Sequence, residues 1–229
     1  MDVSLNQATY ERLKKDIMMF VLKPGESVSA SKIATRYGVS RTPAREALVR
    51  LQDDGLVDIF PQSKSVISKI RVNRIHQEWF VRKSLEMGMV DSLFKGVTKD
   101  DIAKLKECAE HMRLLGKNTG DHESAYEYIL RDDQFHRITY LAAGESLSAE
   151  IIANTLPNYR RARLLIDLEN RNRDRTIGDH LTLIEKIEKQ DVEGYRTALN
   201  AHISHVGDDL MEMKTRYPEM FEDEQKGDS

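Results

Sequence analysis

Three observations predict a mainly α chain, with an N-terminal winged helix-turn-helix carrying a small β-hairpin and a C-terminal all-α bundle. Three short helical stripes and two β-rich runs crowd into residues 1–72. After Ile70 the strand signal vanishes, leaving helical spacing to about residue 215. Charge is divided in the same place: 12 Lys+Arg against 8 Asp+Glu up to residue 72, then 23 against 30, within a net charge of -3.

In the first part, Tyr10, Leu13, Ile17, Met18 and Val21 recur at helical spacing, and Lys23-Pro24-Gly25 is expected to end that helix. Ser29 is placed to cap a second helix with Ile33, Ala34 and Tyr37 inward, closed by Gly38. The third carries Ala44, Ala47, Leu48 and Leu51 in one stripe, with Ser40 or Thr42 as cap, Pro43 in its first turn and Gly55 as its stop. Residues 56–60 and 66–70 read as strands joined by 61–65. Six helical stretches are expected beyond, near 74–95, 98–115, 121–142, 146–168, 176–189 and 191–215, with Pro157 kinking the fourth. The domains are therefore expected at 1–72 and 73–216, with 217–229 an acidic, disordered tail.

The third helix leaves Arg41, Arg45 and Gln52 off its apolar stripe, with Thr42 at its start. Forked donors at the N-terminal end of such a helix suit the guanine edge in a major groove, and Thr42 suits a phosphate. Ser31 and Lys32 are expected on the DNA backbone, and Lys64 at the hairpin tip on phosphate or minor groove. The alternative for the arginines is an ordinary solvated face.

In the bundle, Asp132 and His136 lie four apart on one helix face with Ile129. His180 shares a stripe with Leu181, Ile184 and Ile187, and His202 one with Tyr195, Ala198, Leu199 and Val206. Three imidazoles and one carboxylate directed inward are a ligand set for a divalent metal such as Zn²⁺, Ni²⁺ or Mn²⁺. Each histidine taken singly also fits a hydrogen-bonded core residue. Asp133 is expected outside, paired with Arg137. His205 and His122 are less well placed, and His76 and His111 read as solvated. Arg82 and Arg163 fall among apolar positions, so each needs an anion. For Arg82 that is either Glu86, one turn on, or the carboxylate of a small organic acid. Tyr159 shares the Arg163 face.

Residues 10–70, above all PGESVSASKIATRYGVSRTPAREALVRLQDDGLV, resemble the N-terminal domain of the GntR family of bacterial transcription regulators. The resemblance implies a homodimer reading a palindromic double-stranded DNA operator through Arg41 and Arg45. Family wings usually carry Gly at the tip, where this chain has Ser63-Lys64. Residues 74–215 are similar to the FCD effector domain of the FadR subfamily, through VRKSLEMGMV, DDQFHRITYLAAG and DHLTLIEKIEKQDVEGYRTALNAHI. In its metal-dependent members one Asp and three His hold the ion, which implies Asp132, His136, His180 and His202. Six helices are more similar to the VanR-type branch than to the acyl-CoA-binding founder. Glu145 stands where many members have Asn.

The expected function is a ligand-responsive transcription regulator, a repressor by family analogy, taking a small organic acid near Arg82, Glu86, Tyr159 and Arg163. It is not expected to be an enzyme. The rival is a metal-dependent hydrolase with a vestigial head, which needs an acid–base group and has Glu86 as its one candidate. A third reading keeps the regulator but makes the metal structural. The lone Cys108 excludes an intramolecular disulfide and a cysteine-cluster zinc finger. Without a membrane-length apolar run or a leader pattern, a cytoplasmic protein is expected.

Overall fold

The computed structural model describes residues 2–60, 64–116, 121–169 and 173–222. They form two compact units, Met1–Val72 with Lys214–Ser229, and Asn73–Met213.

The first unit contains α1 (Asp2–Met18), β1 (Ser27–Val28), α2 (Ala30–Tyr37), α3 (Arg41–Asp53), β2 (Val57–Ile59) and β3 (Ser65–Ile67). Leu13 and Ile17 of α1, Ile33 of α2 and Ala44, Ala47 and Leu51 of α3 are essentially sealed from water, as are Leu56, just before β2, and Ile67 of β3. Ser29 caps α2 by accepting from Lys32 N, and Gly38 ends it with φ at 67°, the left-handed cap glycine adopts without strain. The sheet is antiparallel in the order β1-β3-β2, with Val57 opposite Ile67 and Ser27 opposite Val66.

Four expectations need correction here. Helix α1 ends at Met18 rather than near Leu22, because the chain turns through Phe20 at φ 55°. Phe20 and Leu22 are still buried, so apolar spacing runs on past the helix, whereas Val21 is exposed. Strand β1 has only two residues, too few to leave a sequence pattern. Ser40 lies at the N-cap of α3 without a side-chain capping bond. Residues 217–222 are not a disordered tail: Pro218–Met220 makes a 3-10 turn, Phe221 is buried, and Ile70 N donates to Met220 O at 2.9 Å while Glu222 N donates to Ile70 O at 2.9 Å. The remainder, 223–229, lies outside the described residues, as do Pro61, Gln62 and Ser63 of the wing tip.

The second unit is built of α4 (Val72–Gly88), α5 (Val90–Gly96), α6 (Lys99–Leu115), α7 (His122–Ala142), α8 (Ser146–Thr155), α9 (Pro157–Leu168), α10 (Arg173–Glu188) and α11 (Val192–Arg216). The six expected stretches resolve into eight because two are broken. Met89 interrupts the first. In the fourth, Pro157 opens α9 and forces Leu156 out of helical geometry, a break rather than a kink. Helix α6 starts with a reciprocal capping box between Thr98 and Asp101, and α7 with Asp121 accepting from Ser124 N. The core runs through Leu93, Leu105, Phe135, Leu183, Ile187, Tyr195 and Leu199. Helix α7, with nine buried residues including Asp132 and His136, lies in it and supplies two of the four candidate ligands.

Candidate DNA-reading face and metal centre

On the first unit, Ser31, Lys32, Arg41, Thr42, Arg45, Gln52 and Lys64 are all exposed. The cations of this unit divide into two groups. Arg36 pairs with Asp16 at 3.3 Å, Lys14 pairs with Asp54 at 3.2 Å, and Arg50 lies 3.8 Å over the Tyr10 ring while donating to Gln7. Lys32 donates to Ser27 O at 3.3 Å. Arg41 and Arg45, by contrast, have no hydrogen bond or ion pair with any described residue. They line an open concavity with Thr42, Glu46, Val49 and Arg50. Tyr37, donating to Asp16 at 2.8 Å, fixes α2 on α1 and so holds the turn that presents α3.

In the second unit, donor atoms of Asp132, His136, His180 and His202 all lie within 4.8 Å of one another. Asp132, His136 and His180 are buried and His202 is half-buried. Helix α7 supplies the first two one turn apart, α10 the third and α11 the fourth. Phe135 stacks on His180 with centroids 3.9 Å apart and planes 9° apart, which fixes that ring.

Two carboxylates orient the other imidazoles. Glu86 lies 2.8 Å from His136 Nδ1, and Asp179 lies 3.2 Å from His202 Nδ1. With both Nδ1 atoms donating, the Nε2 lone pairs face each other at 3.1 Å, which is repulsive unless a cation or proton intervenes. Neither nitrogen of His180 has a hydrogen-bond partner, although its Nε2 is 3.3 Å from Asp132 Oδ1 without hydrogen-bond alignment. Buried imidazole nitrogens with no hydrogen-bond partner suit coordination to a cation, so these residues fit a divalent metal.

The protonation states agree. Burial opposes ionisation of Asp132, but the Arg163 guanidinium, together with that of Arg82, outweighs it and holds the carboxyl well below its usual range. Burial also opposes ionisation of Glu86, and His136 and Arg82 more than offset it. Burial lowers His136 against the pull of Glu86, and lowers His180 further against Asp132. Anionic carboxylates and neutral imidazoles are the forms that bind a metal.

Beside Asp132 and His202 is a cavity of about 70 Å³ lined by Arg82, Tyr128, Tyr159, Arg163 and Thr176. Three of the four effector candidates thus meet there. Glu86 does not line it, being fully buried between Arg82 Nε at 2.6 Å and His136. Arg163 makes a very short contact with Asp132 and donates to Asp133 at 2.7 Å. Asp133 therefore pairs with Arg163 and, at 2.8 Å, with Arg160, not with Arg137 as the helical spacing suggested. His76, His111 and His122 are exposed.

Residues 79–205 match the FCD domain, and residues 5–67 match the gntR family of bacterial regulatory proteins. The chain belongs to the GntR family and carries an FCD domain. A regulator in an unstable DNA locus of Streptomyces ambofaciens is 29% identical over 93% of this chain and 87% of its own. The repressor RspR of Escherichia coli is 23% identical over 96% and 95%. Among solved structures, McbR/YncC of E. coli has a TM-score of 0.73 at 22% identity, covering 93% of this chain and 98% of its own. These relatives are transcription regulators and not enzymes. In the FCD domain the hydrolase alternative also loses its acid–base group, since both oxygens of Glu86 are already taken by Arg82 and His136. Asp179 was not legible as a site residue, because its partner lies on another helix and no periodicity links the two. No helix among the described residues is long and apolar enough to cross a membrane.

Proposed function

We propose that this GntR-family chain is a metal-loaded, ligand-responsive repressor that binds a palindromic operator as a homodimer and releases it when a small organic acid enters the FCD domain. The observation that carries this reading is the convergence of Asp132, His136, His180 and His202 beside a cavity lined by Arg82 and Arg163.

In the head, Arg41 and Arg45 are free to take base edges and phosphates, while Ser31, Lys32, Thr42, Gln52 and Lys64 flank them. In the FCD domain, Asp132, His136, His180 and His202 would hold Zn²⁺, Ni²⁺ or Mn²⁺. The ion would supply a fixed positive charge and open positions for a carboxylate. Asp132 now has Arg163 as its counter-charge. Arg163, which also pairs with Asp133, lines the cavity with Tyr159, and the two would meet an acid held there. Sensing requires that the acid bind one arrangement of the dimer more tightly than the other. The name of RspR supports repression over activation.

The test is metal analysis of the protein as purified, followed by operator binding with and without candidate acids, before and after chelation. Stoichiometric metal, lost in Asp132→Asn, together with acid-dependent operator release, is expected. Metal that must be present for folding while no acid alters operator binding would leave a structural ion and overturn sensing.

A further inference from the structure

The FCD domain holds a second cavity, of about 290 Å³, between α7, α8 and α9. It shares Arg82 with the cavity beside the ligand cluster and no other described lining residue. Its floor is a satellite core in which Tyr140 and Ala149 pack with Met89, with Ile152 against them. Leu130, 39% exposed, and Ala153 border the mouth.

Polar groups on the wall favour an anion. Arg82, Arg137 and Arg160 line the cavity against one carboxylate, Asp133. Arg82 is engaged by Glu86, and Arg160 by Asp133 and the Ala153 carbonyl. Arg137 has no hydrogen bond or ion pair with any described residue. Tyr140 is 1% exposed, yet its hydroxyl has no hydrogen-bond partner. A buried, unsatisfied hydroxyl is rare and needs a reason. Burial pushes the phenol up, so it remains a donor. Arg137 and Tyr140 are three residues apart on α7, near enough for one ligand group to meet both. Leu130, Ala149, Ile152 and Ala153 make an apolar stretch of the wall beside Gln134 and His136, which leaves room for a short hydrocarbon body.

We propose that this second cavity binds a small apolar monocarboxylic acid, its carboxylate on Arg137 and the Tyr140 hydroxyl and its body against Ala149, Ile152 and Ala153. The site is separate from the metal-assisted pocket, and binding here does not depend on the ion. His136 lines the inner end of the cavity, so an occupant lies against one of the ligand side chains.

Calorimetric titration of the full chain with hexanoate and benzoate, zinc-loaded and chelated, tests this. At least one probe is expected to bind saturably both zinc-loaded and chelated. Tyr140→Phe and Arg137→Gln should each weaken it by roughly tenfold, the loss of one hydrogen bond to a charged group. Ala153→Phe, at the exposed rim, should abolish it by filling the space. Absence of binding by both probes overturns the proposal. So does binding that survives all three substitutions, or binding that requires zinc, which would place the acid in the metal-assisted pocket and favour that reading instead.

Discussion

Asp179 illustrates how one side chain can matter without touching a ligand. Its carboxylate lies 3.2 Å from His202 Nδ1 and 3.3 Å from His205 Nε2, so it pins a half-buried imidazole whose ring also stacks on that of His136, centroids 5.1 Å apart. Replacing it with Asn leaves an acceptor but removes the charge that favours Nδ1–H. Metal affinity should fall about 10–100-fold in Asp179→Asn, read by competition with a fluorescent chelator. An unchanged affinity would show that the ring is set by its helix alone. On the head, Arg41→Ala and Arg45→Ala should each lower the slope of log affinity against log salt by about 1, if each meets a phosphate. Operator binding across a salt series measures this; a guanine contact would show instead as relaxed discrimination at one base. The four candidate ligands could be picked out of the sequence because each falls on an apolar stripe, where a polar residue stands out, and the structure brings their donor atoms within 4.8 Å of one another. Asp179 and the Asp133–Arg163 pair could not be, because each depends on which helix lies opposite.

At the level of elements, legibility followed capping chemistry. Ser29 caps α2 through its side chain and Gly38 ends it through a left-handed backbone, whereas Pro157, expected to kink one helix, opens a second. The failures lie where burial continues after helical geometry stops, as at Phe20 and Leu22, or where an element is too short to be periodic, as with β1. The join between α5 and α7 gives a sharp test. A Cβ built on Gly96 would lie 2.3 Å from the Ala142 carbonyl oxygen, a backbone atom that cannot swing away. Gly96→Ala should therefore destabilise the FCD domain by about 1–3 kcal/mol through overpacking. Denaturant unfolding followed at the single Trp79, which belongs to that unit, would measure it. The same change at Gly88, which has open space around it, should have a far smaller effect.

For the whole molecule, the division into two units predicts two unfolding transitions. Zinc should raise only the transition reported by Trp79, by about 2.7 kcal/mol at a hundredfold excess over the dissociation constant. Scanning calorimetry with and without chelator decides it, and a single transition shifted as one would mean that the units unfold together. The boundary near residue 72 was visible in the sequence, where strand pattern and charge balance both change. The return of the C-terminus to the head was not, because a single buried Phe221 in an acidic stretch carries no periodicity. That return changes what the last residues are. Chain passes between the two units once after Val72 and again before Lys214, so a protease nick in either crossing leaves them covalently joined. A premature stop codon after Met213 would remove Phe221 together with the Glu222 that holds Arg71 at 3.0 Å. What reads as a dispensable terminus is a second seam in the stitching of the head.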